Sequence, residues 1–255
     1  MLQDNVVKEL LKAQERSIIA RGFIDKIEIK EYANNSKKLL SLTLRCGKNR
    51  DRVDVTIFQT YKDPQKPVSI TNEFKEGDFV YLKGSIQEDE YTGRDGKTRK
   101  NYRVITWNLF EESEEKKPGS ANFNISGIID KIRGNKADVK VTESYTNRNG
   151  HEVSNDYMLT IDLPDEILEE HDDLGKNDFV QIQGKLVNHS SLETEDIEGF
   201  DPEFGNVMGK KGKRRYEKKL EATFLHVIAE ADQIEEVTDT AVDEKVQEDL
   251  EEIPF

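Results

Sequence analysis

Hydrophobic and polar positions alternate most cleanly in the run that begins at Gly77. There Val80, Leu82, Gly84 and Ile86 fall on one face, and Tyr81, Lys83 and Ser85 on the other. That is the period-two signature of a half-buried strand. The pattern returns at Asp178–Leu186, with Val180, Ile182, Gly184 and Leu186 on the apolar face. A second echo precedes each copy: Gly22-Phe23-Ile24-Asp25-Lys26-Ile27 reappears as Gly127-Ile128-Ile129-Asp130-Lys131-Ile132. Two echoes in the same order predict one small β-domain present twice. A glycine inside each strand marks a bulge or a tight bend.

The same reading predicts a short amphipathic helix over 4–16, capped by Asp4 and striped by Val6, Val7, Leu10 and Leu11. Strands follow over Ser17–Glu31, Lys38–Arg45 and Arg52–Phe58, then a helical turn at Thr71–Phe74. Two more strands cover Gly77–Tyr91 and Lys100–Phe110. Thr92-Gly93-Arg94-Asp95-Gly96-Lys97 reads as the hairpin tip between them, since Asp-Gly supplies the turn. Five strands with a helical turn between the third and fourth is the order of an OB-fold, a small Greek-key barrel. The second copy predicts strands at Asn122–Arg133, Lys136–Thr146, Val153–Leu163, Asp178–Asn188 and Tyr216–Ala229, with a helical turn at Asp165–His171. The expected organisation is an all-β chain of two tandem OB-folds: 1–110, a polar linker at 111–120, and 121–229. An insertion at 189–215 and a disordered acidic tail at 230–255 complete it.

Composition changes this picture once it is divided. The 255 residues carry a net charge of −14. Residues 1–110 contribute +5, 111–229 contribute −9 and 230–255 contribute −10. A basic first domain hidden inside an acidic chain is the footprint expected of phosphate binding. The single cysteine, Cys46, excludes a disulfide framework and a cysteine-based zinc site. No apolar run approaches the roughly 20 residues of a membrane span, and the N-terminus lacks a signal-peptide layout. These features predict a cytoplasmic protein without a membrane partner.

The first barrel resembles the bacterial and phage single-stranded DNA-binding proteins. The resemblance rests on Val-Asp-Val-Thr-Ile-Phe at 53–58, Phe-Val-Tyr-Leu-Lys-Gly at 79–84 and Tyr-Thr-Gly-Arg-Asp-Gly-Lys at 91–97. The chain also ends on Glu251-Glu252-Ile253-Pro254-Phe255, similar to that family's acidic tip. The resemblance covers 17–110 and the last seven residues; the second barrel shares only the skeleton. It implies coating of single-stranded DNA in replication, recombination and repair. It also implies recruitment of replication and repair proteins through Asp249, Glu251, Glu252, Ile253, Pro254 and Phe255.

Single-strand binding needs stacking platforms and a basic groove. Phe58 and Tyr91 stand where the resemblance puts stacking aromatics, whereas Arg52 occupies a place that is often aromatic. Trp107 and Tyr102 are further stacking candidates on the fifth strand, whose phase the sequence leaves open between core and surface. The phosphate-contact set is Lys37, Lys38, Arg45, Lys48, Arg50, Arg52, Lys83, Arg94, Lys97, Arg99, Lys100 and Arg103. In the second domain Lys210, Lys211, Lys213, Arg214 and Arg215 form a basic arm. It either binds DNA or holds the acidic tail.

No enzyme, cofactor or metal is expected. His151, His171, His189 and His226 lack ligand spacing, and no phosphate loop or nucleophile motif is present. The chain works either as a monomer or as a four-barrel homodimer. Two other functions fit parts of the sequence: a replisome interaction adaptor, favoured by the acidic second domain, and an RNA-binding OB protein. The terminal tip favours DNA.

Overall fold

The computed structural model describes residues 14–32, 37–47, 51–59, 62–92, 96, 98–114, 117–146, 150–201, 205–231 and 234, with backbone alone between 190 and 216. The described elements are mostly strands. In chain order they are β1 (Glu15–Tyr32), β2 (Lys37–Cys46), β3 (Asp51–Phe58), α1 (Lys66–Glu73), β4 (Phe79–Thr92), β5 (Thr98–Thr106) and β6 (Phe110–Glu111). The second copy supplies β7 (Ser120–Arg133), β8 (Lys136–Thr146), β9 (Glu152–Asp162), α2 (Asp165–Glu170), β10 (Phe179–Asp201) and β11 (Gly205–Ala229). The alternation seen in the sequence is the alternation of burial. Val80, Leu82 and Ile86 of β4 are buried, as are Val180, Ile182 and Leu186 of β10.

Each copy forms a closed circuit of strand pairings. In the first, β1 pairs β2, β2 pairs β3, β3 pairs β5 in parallel, and β4 pairs both β5 and β1. In the second, β7 pairs β8, β8 pairs β9, β9 pairs β11 in parallel, and β10 pairs both β11 and β7. The helices α1 and α2 occupy the same place in each, between the third and fourth strands. The repeated Gly-x-Ile-Asp-Lys-Ile sequence explains how one long strand serves two partners. The register slips at Asp25 in β1 and at Asp130 in β7, so each Asp is the extra residue of a bulge. Such a bulge bends the strand and sharpens its twist. Three residues earlier, a Cβ on Gly22 would run into the Arg45 carbonyl, and one on Gly127 into the Lys140 carbonyl. Only glycine lets the neighbouring strand come this close.

The two circuits share one sheet, because β1 and β7 pair antiparallel over Glu15–Arg21 and Ser120–Ser126. Ile18 lies opposite Phe123. These are equivalent positions, four residues before Gly22 and Gly127 respectively, so the copies meet across a pseudo-two-fold axis. Away from that axis the copies grip one another reciprocally. Glu88 and Tyr102, on β4 and β5, bind Thr160 of β9. Asn188 and Lys218, on β10 and β11, bind Asp51, Arg52 and Asp54 of β3. The buried Arg16 joins the halves as well. Its guanidinium lies 3.5 Å over the Tyr157 ring, and Nη2 is 2.9 Å from Glu143 Oε2. A single apolar core runs from Ile18 and Leu82 through Phe123 to Ile182 and Leu220.

Five expectations are corrected. The helix expected over 4–16 does not reach its far end: β1 already begins at Glu15, and 4–13 lie outside the described residues. The fifth strand stops at Thr106 instead of Phe110, and Trp107 sits in the bend before β6. The helical turn at Thr71–Phe74 is a helix from Lys66, started by Pro67 where the missing N–H costs nothing. The insertion at 189–215 is a two-stranded ribbon, with β10 and β11 paired as far as Asp201 opposite Gly205. The tail is anchored at its start. Ile234 is buried against Phe179 and Ala229, and the Ala231 N–H donates to Asp178 Oδ1 at 3.0 Å.

Candidate nucleic-acid interface

The outward positions of β1, β2 and β3 line up in cross-strand rows. Lys26, Thr43 and Asp54 form one row, and Asp54 adjoins Arg103 of β5. Glu28, Ser41 and Thr56 form the next. These residues, with Lys30, Asp89 and Asn101, line a groove over the strands. The polarity follows from the sequence: past the bulge at Asp25, β1 places Lys26, Glu28 and Lys30 on its outer side.

The cations of this face are held in shared pairs. Lys26 and Lys30 both reach Glu28, at 2.7 and 2.6 Å. Their hydrogen bonds hold the Glu28 carboxyl below its ordinary range. Arg45 and Arg52 both reach Asp25, at 3.0 and 3.5 Å. Two cations on one carboxylate leave each cluster with one uncompensated positive charge. An arriving phosphate can therefore join either cluster without displacing its carboxylate. Arg103 is paired one-to-one with Asp89 at 2.9 Å.

Phe58 stands at the end of the face, half-buried, with its ring 5.8 Å from that of Tyr32 in an edge contact. Lys37 is exposed beside it, opposite Tyr32 in the β1–β2 ladder, and the Lys38 N–H donates to Gln59 Oε1 at 2.7 Å. Tyr91 is 50% exposed near the far end of β4, and Trp107 is 56% exposed. Lys83 is exposed on β4, on the side that carries Tyr81. Arg99 is half-buried on β5.

Two candidates belong to the junction instead. Tyr102 is only 3% exposed, and its hydroxyl donates to the Thr160 carbonyl at 2.7 Å. Burial, reinforced by Glu88, pushes its phenol far above the usual range. A ring enclosed in this way has no face to offer a base. Lys100 is bound by Glu88 at 2.5 Å and Thr160 Oγ1 at 2.6 Å, which directs it to the other half. Lys48, Arg50, Arg94, Lys97 and the tip residues Asp249, Glu251, Glu252, Ile253, Pro254 and Phe255 lie outside the described residues. Lys210, Lys211, Lys213, Arg214 and Arg215 lie on β11, where the backbone alone is described.

Sequence reasoning missed several members of this surface. Lys26 and Lys30 were legible from the alternation of β1, but Asp25 was readable only as part of a repeat. The Tyr32–Phe58 contact required the register. So did a second cluster, in which Arg21 lies 4.8 Å over the Tyr81 ring and Tyr81 lies 5.9 Å from Phe110. The matching face of the second half is partly covered, since the β4–β5 hairpin lies on Thr160. Lys131 and Arg133 remain exposed there, with Met158 and Tyr145. Among the described residues, no three or more His, Cys, Asp or Glu side chains gather as a metal cluster. No described helix is long and apolar enough to cross a membrane.

The fold is similar to that of two solved structures of single-stranded DNA-binding proteins. The wild-type protein of that name from Thermus aquaticus superposes with a TM-score of 0.51 at 13% identity, covering 85% of this chain and 94% of that one. A deletion mutant of the Thermus aquaticus protein, which also carries a point substitution, gives 0.52 at 12% identity, covering 85% and 96%. No curated protein matches the chain. By sequence the chain belongs to the YorF family, whose model matches residues 49–252.

Proposed function

We propose that this protein coats single-stranded DNA without sequence preference, using two OB-fold barrels, one for each circuit of strands. The observation that carries the reading is the groove over β1–β2–β3. Lys26 and Lys30 share Glu28 in its lining, Arg45 and Arg52 share Asp25 on the same strands beside it, and the face ends on the Phe58–Tyr32 aromatic pair. The likeness in fold to the Thermus aquaticus proteins supports it. A strand lying in the groove sets its phosphates on Lys26, Lys30, Arg45 and Arg52 and stacks bases on Phe58 and Tyr91, with Trp107 close behind. Stacking grips any base, so coverage is independent of sequence. The occupied strand cannot re-form duplex.

In this reading 1–110 and 121–229 are the two barrels and 111–120 joins them. The acidic stretch after Ile234 competes for the basic face until DNA displaces it. The tip at 249–255 then recruits replication and repair proteins of a bacterial or phage-infected cytoplasm. The protein performs no chemistry of its own.

The test is a fluorescence titration of Trp107 with oligo-dT at low and high salt, against duplex of equal length. The expected result is quenching by the single strand, weakened by salt and absent with duplex. No response to the single strand at low salt overturns the reading and leaves the interaction-adaptor function.

A further inference from the structure

Asp54 puts a carboxylate on the path proposed for the phosphates. It lies on the outward face of β3 between Arg52 and Phe58, roughly 7 Å from the one and 13 Å from the other at about 3.3 Å per residue. A strand that touches both must pass over it. The groove is neutral by itself: its lining sets Lys26, Lys30 and Arg103 against Glu28, Asp54 and Asp89. Those cations are engaged elsewhere, Lys26 and Lys30 by Glu28 and Arg103 by Asp89.

The cation on Asp54 comes from the other half. The largely buried Lys218 of β11 binds Asp54 Oδ2, while Thr43 Oγ1 donates to Asp54 Oδ1 at 3.3 Å. Register sets this contact. Lys218 lies opposite Asn188 in the β10–β11 ladder. The Asn188 N–H donates to Asp51 Oδ1 at 2.9 Å, and its Nδ2 donates to the Arg52 carbonyl at 3.4 Å, which seats Lys218 against Asp54. The matching row of the second half is Lys131, Asp138 and Thr160. There the carboxylate, Asp138, is held by Arg133 of its own half. The first half's row instead draws its counter-charge from across the junction.

We propose that Lys218 is a positioning residue for nucleic-acid binding by the first half, acting through Asp54 and not by touching the strand. By neutralising Asp54 it turns a neutral groove into one with a net positive charge, and it removes a repulsion from the phosphate path. This rests on the coating function proposed above. The acidic half thereby conditions the basic half's site from across the junction.

The test uses the full chain and the variants K218M, K218R, D54N and K218M/D54N. Affinity for oligo-dT is read across a salt series, and each variant is melted in urea. K218M keeps the aliphatic stem and drops the charge, so Asp54 meets the phosphates unpaired. Binding at low salt is expected to weaken about tenfold, the effect of one like-charge pair about 7 Å apart in a solvated groove. That deficit should shrink as salt rises, because repulsion between partly exposed charges is screened. K218R, which keeps the charge, should match the parent. D54N should bind equally or more tightly, with a slope of log K against log salt steeper by up to roughly 0.7, one further phosphate contact. The deciding variant is K218M/D54N. It is expected to return to within about twofold of the parent, since the two changes act on one pair and their effects on DNA oppose each other. A merely structural bridge is not restored by deleting both of its ends. Parent-like binding by K218M, or a double variant as weak as K218M, refutes the positioning role and leaves the coating function standing. If the parent chain does not bind oligo-dT at low salt, the coating function fails and this role falls with it. Should K218M fail to fold in the urea melt, K218R and D54N decide the question, and weaker binding by either refutes it.

Discussion

Replacing Tyr102 with Phe removes one oxygen from the junction and keeps the ring. The hydroxyl donates to the Thr160 carbonyl at 2.7 Å across the two halves. Its loss leaves a buried acceptor without that donor, a cost of about 1–3 kcal/mol. For a chain of this size each kcal/mol moves Tm by about 2–4 °C, so the expected fall is roughly 2–12 °C at pH 8. The pH dependence identifies the cause. Tyr102 holds its proton far more tightly folded than unfolded, because burial and Glu88 oppose the phenolate. A group with a raised folded pKa contributes fully below its unfolded pKa, and that contribution drains away as pH rises above it. The unfolded phenol titrates near pH 10. By pH 11 the parent therefore loses about 1.4 kcal/mol that the Phe variant never had. Urea melts of both proteins at pH 8 and pH 11 should show the gap narrowing by that amount. A gap that stays constant or widens refutes the buried, hydrogen-bonded phenol.

Three further outcomes follow from the geometry. Gly184→Ala places a methyl against the Phe123 ring and the Glu221 carbonyl, and this overpacking should cost about 1–3 kcal/mol in a urea melt. Arg45→Ser with Arg52→Ser should reduce the salt slope for oligo-dT by about 1.4, with Tm changed little because these pairs are surface pairs. Deleting 249–255 should leave oligo-dT affinity equal or tighter while abolishing pull-down of replication or repair proteins; unchanged pull-down rejects the recruiting role.

Much of the fold was legible because its determinants are local. Val80, Leu82 and Ile86 announced a strand by period, and the two glycine-led echoes marked where each copy needs close strand approach and a bulge. The parallel contacts β3–β5 and β9–β11, and the pairing of β1 with β7, could not be read, since they join residues far apart without a sequence signature. The burial of Tyr102, a stacking candidate on a strand of open phase, could not be read for the same reason: its hydroxyl is bound by Thr160 of β9, 58 residues away. The ribbon at 189–215 lacks apolar alternation and so resembled a loop. Its strand character lies in the backbone ladder between β10 and β11, which no alternation in the sequence announces. At the candidate site, the aromatic and cationic residue types were legible, but the sharing of one carboxylate by two cations was not.

The antiparallel meeting of β1 and β7 sets equivalent residues face to face, as in a dimer of identical subunits, yet both sides are covalently joined. Dilution cannot separate them, and the strength of this contact does not depend on how much protein a cell makes. A pair of identical chains must also repeat every substitution on both sides of its axis. Here the two sides are free to drift apart. The matching grips already use different chemistry, a neutral phenol on a carbonyl at Tyr102–Thr160 and an ammonium on a carboxylate at Lys218–Asp54. One half is basic and short-armed, the other acidic and long-armed, a difference that a symmetric assembly of one chain type could not encode.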